Sequence, residues 1–104
     1  MDNRIERIKE MLKANPEDSF LLHALALEYI KIGEKENAKN TFEFLLDKNP
    51  NYVGSYYHIA KLMEDLQDKD AAIHWYEKGM VIAKQLNERH AYNELQSAYE
   101  ELLY

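Results

Sequence analysis

The sequence predicts an all-α fold, and three observations carry that prediction. Apolar residues recur at helical spacing, as in Leu22, Leu25, Ala26 and Tyr29. Only 3 glycines and 2 prolines punctuate 104 residues, too few turn signals for a sandwich of short strands. The two prolines stand 34 positions apart, each in an Asn-Pro pair, Asn15-Pro16 and Asn49-Pro50. Proline disfavours the helical region for the residue before it, so each pair is expected to end one helix and open the next. Two such boundaries at one spacing predict an internal repeat.

The helices follow in order. Residues 2–14 carry Ile5, Ile8, Met11 and Leu12 on one face, with Arg4, Arg7, Lys9, Glu10 and Lys13 on the other. Shifting Ile8 and Leu12 by 34 gives Phe42 and Leu46, so this helix reads as the second half of an earlier repeat. The next helix carries the stripe Leu22, Leu25, Ala26, Tyr29 and stops near Gly33, where a left-handed C-cap is useful. Ala38, Phe42, Leu45 and Leu46 mark a third helix. Moving both stripes by 34 gives Tyr56, Ile59, Ala60, Met63 and then Ala72, Tyr76, Gly79, Met80, all apolar, aromatic or small. Pro50 moves to Lys84, so the fifth helix is expected to run on to about Leu86 and turn near Asn87. Ala91, Leu95, Ala98 and Leu102, widened by Tyr92 and Tyr99, form the apolar face of a sixth, capping helix; Glu88, Asn93, Glu94, Ser97, Glu100 and Glu101 face the other way.

This pattern resembles the tetratricopeptide repeat. Leu22 or Tyr56 stands at the family's bulky first position, Leu25-Ala26 and Ile59-Ala60 at its Leu-small pair, and Tyr29 and Met63 at its Tyr. Ala38 and Phe42, then Ala72 and Tyr76, match the second helix; Leu45 is large for the later small position that Gly79 fills. The resemblance implies antiparallel helix pairs stacked as a short right-handed superhelix of about six helices. Residues 1–104 are read as one domain: a half-repeat over 1–15, repeats over 17–50 and 51–84, and a cap over 85–104. The physics agrees, because a lone helix pair cannot bury both apolar faces and stacked neighbours can. Alanines 26, 38, 60 and 72 allow close helix approach. Gly79, a residue that costs a helix about 1 kcal/mol, marks either a close crossing or a tolerated glycine. Trp75 points away from the core stripe and either packs on the following helix or is partly exposed.

Composition excludes several functions. With no cysteine there are no disulfides, thiolate metal sites or cysteine nucleophiles. A formal net charge of -6 disfavours nucleic acid as a partner. The longest apolar stretch, around Phe20–Ile30, is broken by His23 and Glu28 and does not read as a membrane span. Basic residues cluster on no apolar helix, so no membrane partner is expected. The opening MDNRIERIKE lacks the apolar run of a secretory signal, and a cytoplasmic location is expected. No phosphate-cradling loop, nucleophile elbow or His-Glu-x-x-His motif occurs. The chain is read as a non-enzyme without metal or cofactor. His23 and His58 are read as groove-lining residues before they are read as a metal pair. The carboxylate pairs Glu34/Glu36 and Asp68/Asp70 sit near helix starts, where they meet the helix dipole.

The resemblance also implies where a partner would lie: in the concave groove lined by the first helix of each repeat. There the candidate contact residues are Phe20, His23, Leu27, Lys31, Tyr57, His58 and Lys61. Leu27 and Ile30 are either groove residues or covered by neighbouring helices. Some family members hold chaperone C-termini with Lys, Asn and Arg side chains, but the matching positions hold His23, Leu27 and His58, so that clamp is absent. Lys31, Lys61 and the histidines suggest a groove for a peptide with apolar or aromatic anchors and an acidic group. The expected function is a protein-interaction module that binds a peptide or protein segment. The alternative is a homo-oligomerising scaffold using the groove or the cap helix, since 8 tyrosines and an apolar first helix could form a homodimer.

Overall fold

The computed structural model describes residues 3–104, with six α-helices and no strand among them. They are α1 (Arg4–Ala14), α2 (Ser19–Lys31), α3 (Lys35–Lys48), α4 (Gly54–Asp65), α5 (Lys69–Gln85) and α6 (Arg89–Leu103). They group into two compact units that divide between Asn49 and Pro50.

In the first unit α2 packs on α1 and α3. Ile8, Leu22, Leu25, Ala26, Ala38, Phe42, Leu45 and Leu46 are its buried core. The α1 face is only partly covered: Ile8 is buried, but Met11 is 49% exposed. Asn15 and Asn49 cap α1 and α3 with non-helical backbone, in keeping with the prolines that follow them. Asp18 caps α2, its carboxylate accepting from the Leu21 amide at 3.0 Å. Asn49 Nδ2 donates to Ser19 Oγ at 2.9 Å, tying the end of α3 to the start of α2. Arg4 pairs with Glu28 at 3.2 Å, joining α1 to α2 on their polar sides.

In the second unit α5 packs on α4 and α6, and α4 also meets α6. Tyr56, Ile59, Ala60, Met63, Ala72, Tyr76, Ala83, Leu95 and Ala98 are buried on the predicted stripes or beside them. Ser55 and Leu62 are buried as well, although they lie off the repeat pattern. Tyr56 donates its hydroxyl to the Pro50 carbonyl at 2.6 Å, and Tyr76 donates to the Glu64 carboxylate. Asp68 caps α5 by accepting from the Ala71 amide at 3.1 Å. Trp75 is half-buried with its ring 6.1 Å from that of Tyr56, so it packs on α4 as well as facing solvent. Gly79 is a close crossing: a Cβ placed there would stand 2.6 Å from Tyr56 Cβ and 3.1 Å from Leu95 Cδ1.

Three turns share one backbone device. After α2, the amides of Gly33 and Glu34 donate to the carbonyls of Ile30 and Tyr29 at 3.1 and 2.9 Å. After α4, Gln67 and Asp68 donate to Glu64 and Met63, both at 2.9 Å. After α5, Asn87 and Glu88 donate to Lys84 and Ala83 at 3.1 and 2.8 Å. Each is a Schellman cap whose central residue adopts positive φ: 79° at Gly33, 60° at Gln67 and 60° at Asn87. Asparagine tolerates this conformation and glutamine does so less readily, which is why only the first and third turns announce themselves by composition. The extension of α5 to Gln85 and the turn at Asn87 agree with the loss of proline at residue 84.

Candidate functional site

The candidate contact residues fall on α2 in the first unit and α4 in the second. On α2, Phe20 is 70% exposed and lines a shallow hollow of about 150 Å³ with Arg4, Arg7, Ile8, Met11, Leu21 and Ala24. His23 is half-buried, its ring edge-on to Phe42 with centroids 5.8 Å apart, so part of its surface serves the core. Leu27 and Ile30 are half-buried. Lys31 is exposed and pairs with Glu28 at 3.5 Å, one turn away.

On α4, Tyr57, His58 and Lys61 stand together. Tyr57 and His58 meet edge to face, with centroids 5.8 Å apart. The Lys61 ammonium lies 5.8 Å from the Tyr57 ring centroid and 3.8 Å from the Glu64 carboxylate. Burial lowers the His58 pKa, and the negative charge of Glu94 on α6 partly opposes that shift. Burial and the bond to Glu64 hold the Tyr76 phenol well above its ordinary range, so this hydroxyl stays a donor.

Tyr57 and Lys61 form one wall of a cleft of about 220 Å³ whose other wall is α6, through Glu94, Ser97, Ala98 and Glu101. Sequence reasoning placed Glu94, Ser97 and Glu101 on the solvent side of a cap and missed that this side faces the exposed surface of α4. The signal was weak, because the apolar positions of α6 leave the 34-residue register. With Glu94 and Glu101 in its wall the cleft is acidic, which alters the expectation of a groove suited to an acidic group. A second hollow of about 480 Å³ lies at the α5–α6 turn, lined by Ala83, Lys84, Asn87, Glu88, Arg89, Tyr92 and Asn93. Among the described residues no three His, Asp or Glu side chains gather where they could hold a metal ion. No helix among them is long and apolar enough to cross a membrane.

The helix-pair repeat with its small-residue crossings has a counterpart among known families. The tetratricopeptide repeat model matches residues 21–52 and again 53–85. The chain belongs to the tetratricopeptide repeat family. Its two family repeats coincide with the helix pairs α2–α3 and α4–α5, leaving α1 and α6 as flanking helices. A tetratricopeptide repeat domain protein from Salinibacter ruber is 39% identical, with a TM-score of 0.81 over 85% of this chain and 89% of that one. The TPR2B domain of yeast Sti1, solved as a complex with pHsp70, is 20% identical and shares the fold, with a TM-score of 0.88 over 96% of this chain and 80% of that one. Among curated proteins, the uncharacterized protein ycf37 of Pyropia yezoensis is 35% identical over 71 residues. This chain spans 39% of the length of that relative, and the match takes in 68% of this chain.

Proposed function

We propose that this chain is a non-enzymatic protein-interaction module, acting as one binding domain over residues 1–104, and that it holds a peptide or protein segment on the exposed side of α4, the first helix of its second repeat. The observation that carries the reading is the α4–α6 cleft, where an aromatic side chain, a lysine and two carboxylates line one open recess. Tyrosine supplies large contact area at low conformational cost, as binding surfaces require. The family supports the reading, and the Sti1 domains that share this fold were solved with pHsp70 and pHSP90 bound.

Titrating peptides against Tyr57→Ala and Phe20→Ala tests the site. Affinity is expected to fall in the tyrosine variant; binding undiminished in both variants would move the site elsewhere. A second reading, self-association as a scaffold, draws on Phe20 and Met11, exposed side by side on the first unit. Light scattering over a range of concentrations separates the two: a constant monomer mass removes the scaffold reading.

A further inference from the structure

We infer that the α4–α6 cleft takes an arginine or lysine side chain from an extended basic segment of a partner protein. This rests on the reading of the cleft as a binding site and adds the chemistry of its occupant. The α6 wall shows Glu94, Ser97, Ala98 and Glu101, the i, i+3, i+4, i+7 face of a helix. Its two exposed carboxylates therefore stand two turns apart, about 10 Å along the axis. Between them Ser97 and Ala98 are small and leave a recess. Tyr57 closes the opposite side with an aromatic ring that already carries the Lys61 ammonium, so it offers apolar contact to the stem of a long cationic side chain.

Charge selects the occupant. Lys61 is the cation of the cleft, and its ammonium is already held by Glu64 and the Tyr57 ring. Burial lowers the His58 pKa, and the charge of Glu94 acts against that shift. Glu94 and Glu101 give the α6 wall its negative charge, and the formal net charge of -6 for the whole chain repels anions further. Size narrows the choice again. A recess of about 220 Å³ lies below the roughly 300–1,000 Å³ of small-molecule sites, and suits one long side chain rather than a helix or a drug-sized ligand.

The test uses the full chain and a positional-scanning hexapeptide library at low ionic strength, where surface charge acts at longest range. It compares wild type with Glu94→Gln, Glu101→Gln, the double variant and Tyr57→Ala, with circular dichroism verifying the fold. Both glutamates are exposed, so the amide variants are expected to fold as wild type does. The expected result is enrichment of Arg and Lys at one library position, with roughly tenfold weaker binding of an enriched peptide to the double variant. Added salt should weaken wild-type binding more than that of the double variant. Enrichment of Asp or Glu, absence of charge preference, or a cationic preference unchanged in the double variant would overturn the inference. If neutral or acidic peptides bind and Tyr57→Ala weakens them, the cleft still binds peptides and only the cationic inference falls. If no binding responds to Tyr57→Ala or to the glutamate pair, both readings fall.

Discussion

A single methyl group at residue 79 should weaken the second unit. In an unconstrained helix, Gly→Ala gains about 1 kcal/mol in propensity. Here the new Cβ would meet Tyr56 Cβ at 2.6 Å and Tyr56 Cγ at 3.0 Å, whereas ordinary contacts begin near 3.4 Å. Tyr56 Cβ is fixed to the backbone of α4, and Tyr56 itself is fully buried, so no rotamer change relieves the overlap. The helices must separate by about 0.8 Å, loosening the packing of Tyr56, Leu95 and their neighbours. Overpacking of this kind costs about 1–3 kcal/mol. Because the overlap is with a Cβ fixed to the α4 backbone, the cost belongs in the upper part of that range, about 2–3 kcal/mol. Less the propensity gain of about 1 kcal/mol, the net loss for Gly79→Ala is expected to be about 1–2 kcal/mol, and Gly79→Leu should lose more. Trp75 is the chain's one tryptophan and packs on Tyr56, so its fluorescence in a urea titration reports this unit. With a slope of about 2 kcal/mol per molar urea, the midpoint should fall by roughly 0.5–1 M. Gly54→Ala is the control, because nothing lies within 4 Å of a Cβ at that position. A midpoint for Gly79→Ala equal to or above wild type would refute the close crossing.

Three further outcomes are expected. Gln67→Gly should stabilise by about 0.5–1 kcal/mol by relieving left-handed strain, while Asn87→Gly should change little because asparagine tolerates that conformation; a destabilised Gln67→Gly in thermal melts would contradict the turn geometry. Phe42→Ala should cost about 3–5 kcal/mol and Phe20→Ala no more than about 0.5 kcal/mol, since one is fully buried and the other 70% exposed; equal losses in denaturant titrations would contradict the assigned faces. His58 has a lowered pKa in the folded chain, so the unfolded chain takes up its proton first as pH falls through about 6.5. Stability from His58 is therefore present above that pH and lost as pH drops toward its folded value, modestly because the ring is only half-buried. Unfolding at pH 7.5 and 5.5 should show a smaller drop for His58→Gln than for wild type, and identical drops would remove His58 as the cause.

The repeat pattern made most of the core readable. Tyr56, Ile59, Ala60 and Met63 could be assigned by shifting the first stripe by 34, and all four are buried. Ser55 and Leu62 could not, since the pattern describes one face of α4 and the helix is covered on more than one side. The turn at Gly33 was legible from glycine chemistry, but Gln67 carries no such mark and adopts the same conformation because two amide-to-carbonyl bonds impose it. The cleft was half legible. Tyr57 and Lys61 stand on α4 where the resemblance placed them, whereas Glu94, Ser97 and Glu101 read as solvating residues of a cap.

What the sequence determined by itself was local: which residues are helical, where the helices stop, and which stripe each turns inward. Those properties depend on period, capping and proline geometry, all of which act over a few residues. What only the tertiary structure decided was which polar faces come together. Glu94 and Glu101 oppose Tyr57 because α6 folds back beside α4 after the Asn87 turn, an encounter between residues some forty positions apart. Hydrophobic periodicity records the face that leaves water, and the face that stays in water is free of that constraint. The charge of the cleft therefore emerges from helix packing, although every residue that makes it is plain in the chain.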